Sequence, residues 1–139
     1  MARALYKNET LYLQPWHRSV RGFWIPAGPV LTLSDSVDDE GVGDSVTTVL
    51  SIVRRDAPWP PPDETDPLVV AVLASDLEDA CTGAAVVEIE EDNGKFILTP
   101  TRLKGATLEP VPGGALEFAH PHAAGLGAAL REGFRRGGG

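Results

Sequence analysis

The triplet Asp92-Asn93-Gly94 restricts the possible folds more than any other feature of this chain. It separates two runs of strand-forming residues, Ala84-Ala85-Val86-Val87-Glu88-Ile89-Glu90 and Lys95-Phe96-Ile97-Leu98-Thr99. Asn-Gly supplies the positive-φ residues of a tight hairpin turn, so these runs predict two antiparallel strands. Side chains alternate along a strand, which places Val87 and Ile89 inward and Glu88 and Glu90 on the solvent face. The first third of the chain reads the same way. Thr10-Leu11-Tyr12-Leu13-Gln14 is a strand stopped by Pro15, and Gly22-Phe23-Trp24-Ile25 is a strand stopped by Pro26. Residues 16–21 form the loop between them, and Val30-Leu31-Thr32-Leu33 is a third strand. Trp24 lies in an apolar run and is expected in the core. Together these segments predict a small N-terminal antiparallel meander plus the later hairpin.

The period then changes. Val46, Val49, Leu50 and Val53 recur at i, i+3, i+4 and i+7, one face of a helix. Asp44 is placed to cap it, Asp38, Asp39 and Glu40 supply negative charge near its start, and Arg54 and Arg55 supply positive charge in its last turn. Several β-branched residues weaken the intrinsic preference, but charge and periodicity agree on helix. Asp56-Ala57-Pro58-Trp59-Pro60-Pro61-Pro62 must leave it as an extended linker. Asp66-Pro67 is a helix start, with an N-cap before a proline at the first position, and predicts a short helix over 67–74. Ser75-Asp76-Leu77-Glu78 has capping-box form and starts another, ending at Gly83. Residues 108–111 and 115–118 are short strands that Pro110, Pro112 and Pro121 confine to edges. Leu126, Leu130 and Phe134 mark a C-terminal helix over 122–136, in which Gly125, Gly127 and Gly133 point to close packing. The fold class is α+β: a small antiparallel sheet packed against three to four helices.

With 139 residues the chain has the size of one domain, expected over 1–136, with 137–139 a glycine tail. The lone Cys81 excludes an internal disulfide, and no secretory or membrane-spanning run is evident, so a cytoplasmic location is expected. The net charge of −8 is unevenly distributed: Gly22 to Gly94 holds sixteen acids and only two bases, whereas the rest holds four acids and ten bases. Concentrated negative potential disfavours nucleic acid and membrane surfaces and steers a basic partner.

Catalytic constellations are missing from the sequence. His120 and His122 form a His-x-His pair without a suitable third ligand, and Pro121 between them suggests a turn. Trp16-His17-Arg18 reads as a hairpin tip, Cys81 as a plain buried thiol, and no serine lies in a nucleophile elbow. No metal, cofactor or small-molecule substrate is expected.

The order Tyr6-Lys7-Asn8-Glu9-Thr10-Leu11-Tyr12-Leu13-Gln14-Pro15, then Gly22-Phe23-Trp24-Ile25, Asp66-Pro67-Leu68, Leu98-Thr99-Pro100-Thr101-Arg102 and Leu126-Gly127-Ala128-Ala129-Leu130, resembles one family of immunity proteins from bacterial contact-dependent growth inhibition systems. The resemblance covers nearly the whole chain through scattered short stretches. It implies a cytosolic protein that forms a heterodimer with the C-terminal toxin domain of an incoming effector, often a nuclease with a basic cleft. The candidate contacts are then Asp35, Asp38, Asp39, Glu40 and Asp44 around the first helix, and Glu88, Glu90, Glu91 and Asp92 on the hairpin. Trp16 and Trp59 are candidate anchors, because interface hot spots favour aromatic side chains. Two other classes compete: an accessory domain such as a secretion chaperone, and a small hydrolase using His17, His120 or His122.

Overall fold

The computed structural model describes residues 1–62 and 65–138. One antiparallel sheet of eight strands forms the middle layer. Its centre is β1 (Ala2–Lys7), flanked by β2 (Thr10–Arg18) and β5 (Ala85–Asp92), with β6 (Lys95–Lys104) beyond β5. The two outer edges share a construction. Along β2, the first half pairs with β4 (Leu31–Ser34) and the second half with β3 (Trp24–Pro26). Along β6, the first half pairs with β8 (Leu116–Ala119) and the second half with β7 (Thr107–Pro110). The N-terminal strands are therefore not a serial meander: β3 and β4 lie end to end on one edge of β2, and β1, which the sequence reading passed over, is the centre of the sheet.

Two prolines explain the split edges. The sequence predicts that Pro15 stops β2 and that the returning strand ends at Thr99, but both strands continue, to Arg18 and Lys104. The carbonyl of Pro15 accepts from Ala27 on the β3 edge at 3.0 Å, and that of Pro100 accepts from Val111 on the β7 edge at 2.9 Å. A strand residue's N–H points to the same side as its C=O, so each missing N–H faces the break between two edge strands. No ladder bond is lost there. Residues 16–18 thus belong to the strand, and the turn is 19–23.

Helix α1 (Asp39–Ile52) and helix α4 (Ala123–Gly138) cover one face. Ala2, Ala4, Leu11, Leu13, Val87, Ile89 and Leu98 pack there against Val42, Val46, Val49, Leu126, Leu130 and Phe134. The N-cap of α1 is Asp38, whose carboxylate accepts from Gly41 N at 2.8 Å, and not Asp44, which lies inside the helix. Gly43 is needed for close approach, because a Cβ there would lie 1.9 Å from the Ala123 carbonyl oxygen. Gly127 answers it from α4, where a Cβ would lie 1.9 Å from the Asp39 carbonyl oxygen. Arg54 and Arg55 fall after the helix.

The opposite face is covered by two short helices, α2 (Pro67–Val72) and α3 (Leu77–Cys81). Leu68 and Cys81 pack on Leu5 and Val86 in a second, smaller core. Asp66 caps α2 as expected, α2 stops at Val72 because Leu73 turns left-handed (φ 60°), and Asp76 caps α3. Helix α4 continues through Gly137 and Gly138; Gly139 lies outside the described residues.

Candidate functional site

Ten of the eleven sequence-derived candidates fall into three places, and Trp59 lies apart from them. The first is the start of α1. Arg131 of α4 donates to Asp39 Oδ1 (2.9 Å), Asp35 Oδ1 (3.2 Å) and the Val37 carbonyl, so Asp35 and Asp39 are tied to the helix pair. Asp38 is engaged as the cap. Glu40 and Asp44 are exposed.

The second place is the hairpin end of β5. Glu90 and Asp92 are exposed, and Glu91 accepts from Gly94 N at 2.9 Å, fixing the turn. These three acids line a cleft of about 450 Å³ with Met1, Trp24, Arg55, Lys95 and Ile97. The two acidic groups do not merge. Asp35 and Arg131 lie beside Tyr6, and Tyr6 pairs with Ala85 at the other end of β5 from Asp92. At the usual rise per residue those ends stand roughly 20 Å apart.

The third place is a buried polar row on the face under α2. Arg3 pairs with both Gln14 and Glu88 across the sheet. It donates to Glu88 Oε1 at 3.3 Å, and its guanidinium carbon lies 4.3 Å from the Trp16 ring centroid. Trp16 Nε1 donates to Gln14 Oε1 (3.2 Å), and Gln14 Nε2 donates to Asp66 Oδ1 (2.6 Å). Glu88 and Trp16 are thus brought together as partners of a buried arginine, and Glu88 is not freely displayed on a solvent face.

Trp59 behaves differently. It is 40% exposed, and its ring stacks on Phe23 with centroids 4.7 Å apart. Trp24, expected inside, is 37% exposed on the edge strand, with the Arg18 guanidinium 5.7 Å from its ring. An apolar run marks a buried strand only where both faces are covered, and β3 is a three-residue edge. Apart from Trp59, sequence reasoning missed this end of the molecule. Its signal was the interleaving of Arg18, Arg21, Phe23 and Trp24, with Arg54-Arg55 adjoining.

The reactive residue types have structural partners. His17 Nδ1 accepts from Arg54 N at 2.9 Å; burial first, then Arg54, holds the imidazole below its ordinary pKa. His122 Nδ1 accepts from Gly125 N at 3.0 Å and so caps α4. His120 sits in a left-handed turn with its ring over Gly94. Cys81 is buried, and burial pushes its thiol up, away from the reactive thiolate. Among the described residues no group of three His, Cys, Asp or Glu side chains could hold a metal ion, and no helix is long and apolar enough to cross a membrane.

Fold and surface together define a class: an α+β domain with a split-edged sheet whose most distinctive groups are surface charge and exposed aromatic rings. The same fold occurs in a protein of unknown function from Neisseria meningitidis, with a TM-score of 0.77, 18% identity, and 97% of this chain and 93% of that chain covered. It occurs again in the CdiA-CT/CdiI toxin and immunity complex from Yersinia pseudotuberculosis, with a TM-score of 0.71, 15% identity, and coverage of 97% and 95%. No protein-family model and no curated protein sequence matches the chain.

Proposed function

We propose that this protein is a cytoplasmic immunity protein of a contact-dependent growth inhibition system, which binds and neutralises the toxin domain of an incoming effector. The observation that carries the reading is the fold shared, over 97% of this chain, with the toxin and immunity complex from Yersinia pseudotuberculosis. The short sequence stretches that resemble immunity proteins support it independently.

The partner is a basic domain, a nuclease, bound as a heterodimer. Carboxylates stand in for nucleic-acid phosphates and occlude its cleft. Of the two acidic groups, the hairpin end suits this role better. Asp35 and Asp39 are already neutralised by Arg131 and Asp38 is engaged as a cap, whereas Glu90 and Asp92 are exposed beside an open cleft. Charges of this kind set the encounter rate, so association slows as salt screens them.

The test is calorimetry and a nuclease assay with the toxin domain encoded beside this gene. Dissociation constants of about 1–10 nM are expected. The E90K/D92K double variant should weaken binding about 10- to 100-fold, mostly through slower association. A toxin that gives no heat and stays fully active in the mixture would remove the reading.

A further inference from the structure

The turn after β2 carries a surface of opposite character. Six large apolar side chains are exposed on the described surface, and four of them, Val20, Phe23, Trp24 and Trp59, gather at this end. They sit on an ordered platform. Ser19 is buried, and its hydroxyl accepts from Arg21 N (3.2 Å) and Phe23 N (3.0 Å). Val20 N donates to the Ala57 carbonyl at 3.0 Å, which pins the proline-rich segment and Trp59 against the turn. Two aromatic rings in contact and held by backbone bonds need little further ordering when they bind.

The aromatic rings here have arginines beside them, although the chain as a whole is acidic. Arg18, Arg21 and Arg55 are exposed, and among the described residues none of them has an ion-pair partner. Guanidinium forks beside exposed aromatic rings match a segment that carries carboxylates next to an apolar side chain: the forks take the carboxylates, and the rings take the apolar group. A nucleic acid has phosphate and stacking groups too, but it fits less well. Glu90, Glu91 and Asp92 line the same cleft as Trp24 and Arg55 and would repel a continuous phosphate chain. A short acidic peptide can end before that rim.

We propose that the arginine–aromatic end around Arg18, Arg21, Phe23, Arg55 and Trp59 is a docking site for a carboxylate-rich segment of a partner protein. It goes beyond the toxin reading, since the ligand is opposite in charge to a basic toxin cleft; the two sites adjoin at Arg55, which lines the cleft of Glu90 and Asp92.

The full-length protein is titrated at low ionic strength with a short peptide of alternating aspartate and glutamate around one leucine, followed by tryptophan fluorescence and calorimetry. Two controls are its asparagine/glutamine counterpart and a single-stranded oligothymidylate of matching length. The acidic peptide should bind in the micromolar range, at least about tenfold tighter than either control. R21E/R55E should weaken it by about tenfold or more, and W59A should weaken it while removing part of the fluorescence change. R21E/R55E replaces exposed groups and should melt as the wild type, whereas W59A loses the ring contact with Phe23 and should melt somewhat lower with the fold retained; if R21E/R55E does not fold, R21Q carries the comparison. No binding of the acidic peptide at millimolar concentration, undiminished binding by the arginine and W59A variants, or tighter binding of the oligonucleotide would each overturn the proposal.

Discussion

His17 shows how a single side chain can be claimed by structure. Its Nδ1 accepts the Arg54 N–H that follows α1, so the imidazole closes the contact between β2 and the chain leaving the helix. A protonated ring cannot accept that bond. Burial and Arg54 lower the folded-state pKa below the ordinary 6.5. The unfolded chain therefore binds a proton more readily, and stability rises with pH through this region. The contribution is complete above about 6.5 and is lost as pH falls through the lower folded value. Urea unfolding at several pH values between neutral and mildly acidic should show this loss in the wild type. In H17Q, whose amide cannot titrate, that part of the slope should vanish; parallel loss in both proteins would dissociate His17 from it.

At the scale of elements, α1 and α4 approach backbone to backbone near their first turns. Gly43 and Gly127 each place a bare Cα against a carbonyl of the other helix. Backbone cannot yield as a flexible side chain does, so G127A or G43A should cost about 1–3 kcal/mol, read as a lower melting temperature with the fold retained. Caps give a second test. Asp38 bonds Gly41 N, whereas no first-turn N–H depends on Asp44. D38A should lose about 1 kcal/mol, and D44A should stay within about 0.5 kcal/mol of wild type. Equal losses would return the cap to Asp44.

For the whole molecule, the question is whether the layer of α2 and α3 belongs to the domain. Leu68 is fully buried against the sheet, and Lys7 Nζ donates to the carbonyls of Asp79 and Ala80 at 2.9 and 3.2 Å, holding α3 to β1. Both layers share strands β1 and β5, so they should unfold together. L68A in the small core and L130A in the large one should each cost about 2–5 kcal/mol and leave one cooperative transition by both circular dichroism and tryptophan fluorescence. An early, separate transition in L68A would show the small layer to be independent.

Local order was legible where a local interaction decides it. The Asn93-Gly94 turn, with φ of 51° and 83°, and the Asp66 cap with Pro67 are set by residues within a few positions of one another. The α+β class and the C-terminal helix followed from periodicity, which survives in any packing arrangement. Long-range partners were not legible. Pro15 and Pro100 look like strand ends until the gap beside each is seen, and Gly43 carries no sign of its role until the Ala123 carbonyl lies against it. The acids of the middle segment are one stretch in sequence, yet Asp35 and the hairpin acids end up beside opposite ends of β5, and Arg3 and Arg131, distant in the chain, take several of them out of display. The sequence by itself determined the turns, caps, periods and total charge, because these depend on neighbours along the chain. Only the tertiary structure decided which carboxylates remain free and where Arg18, Arg21, Phe23, Trp24 and Trp59 meet, because burial and charge pairing depend on residues brought together from far apart.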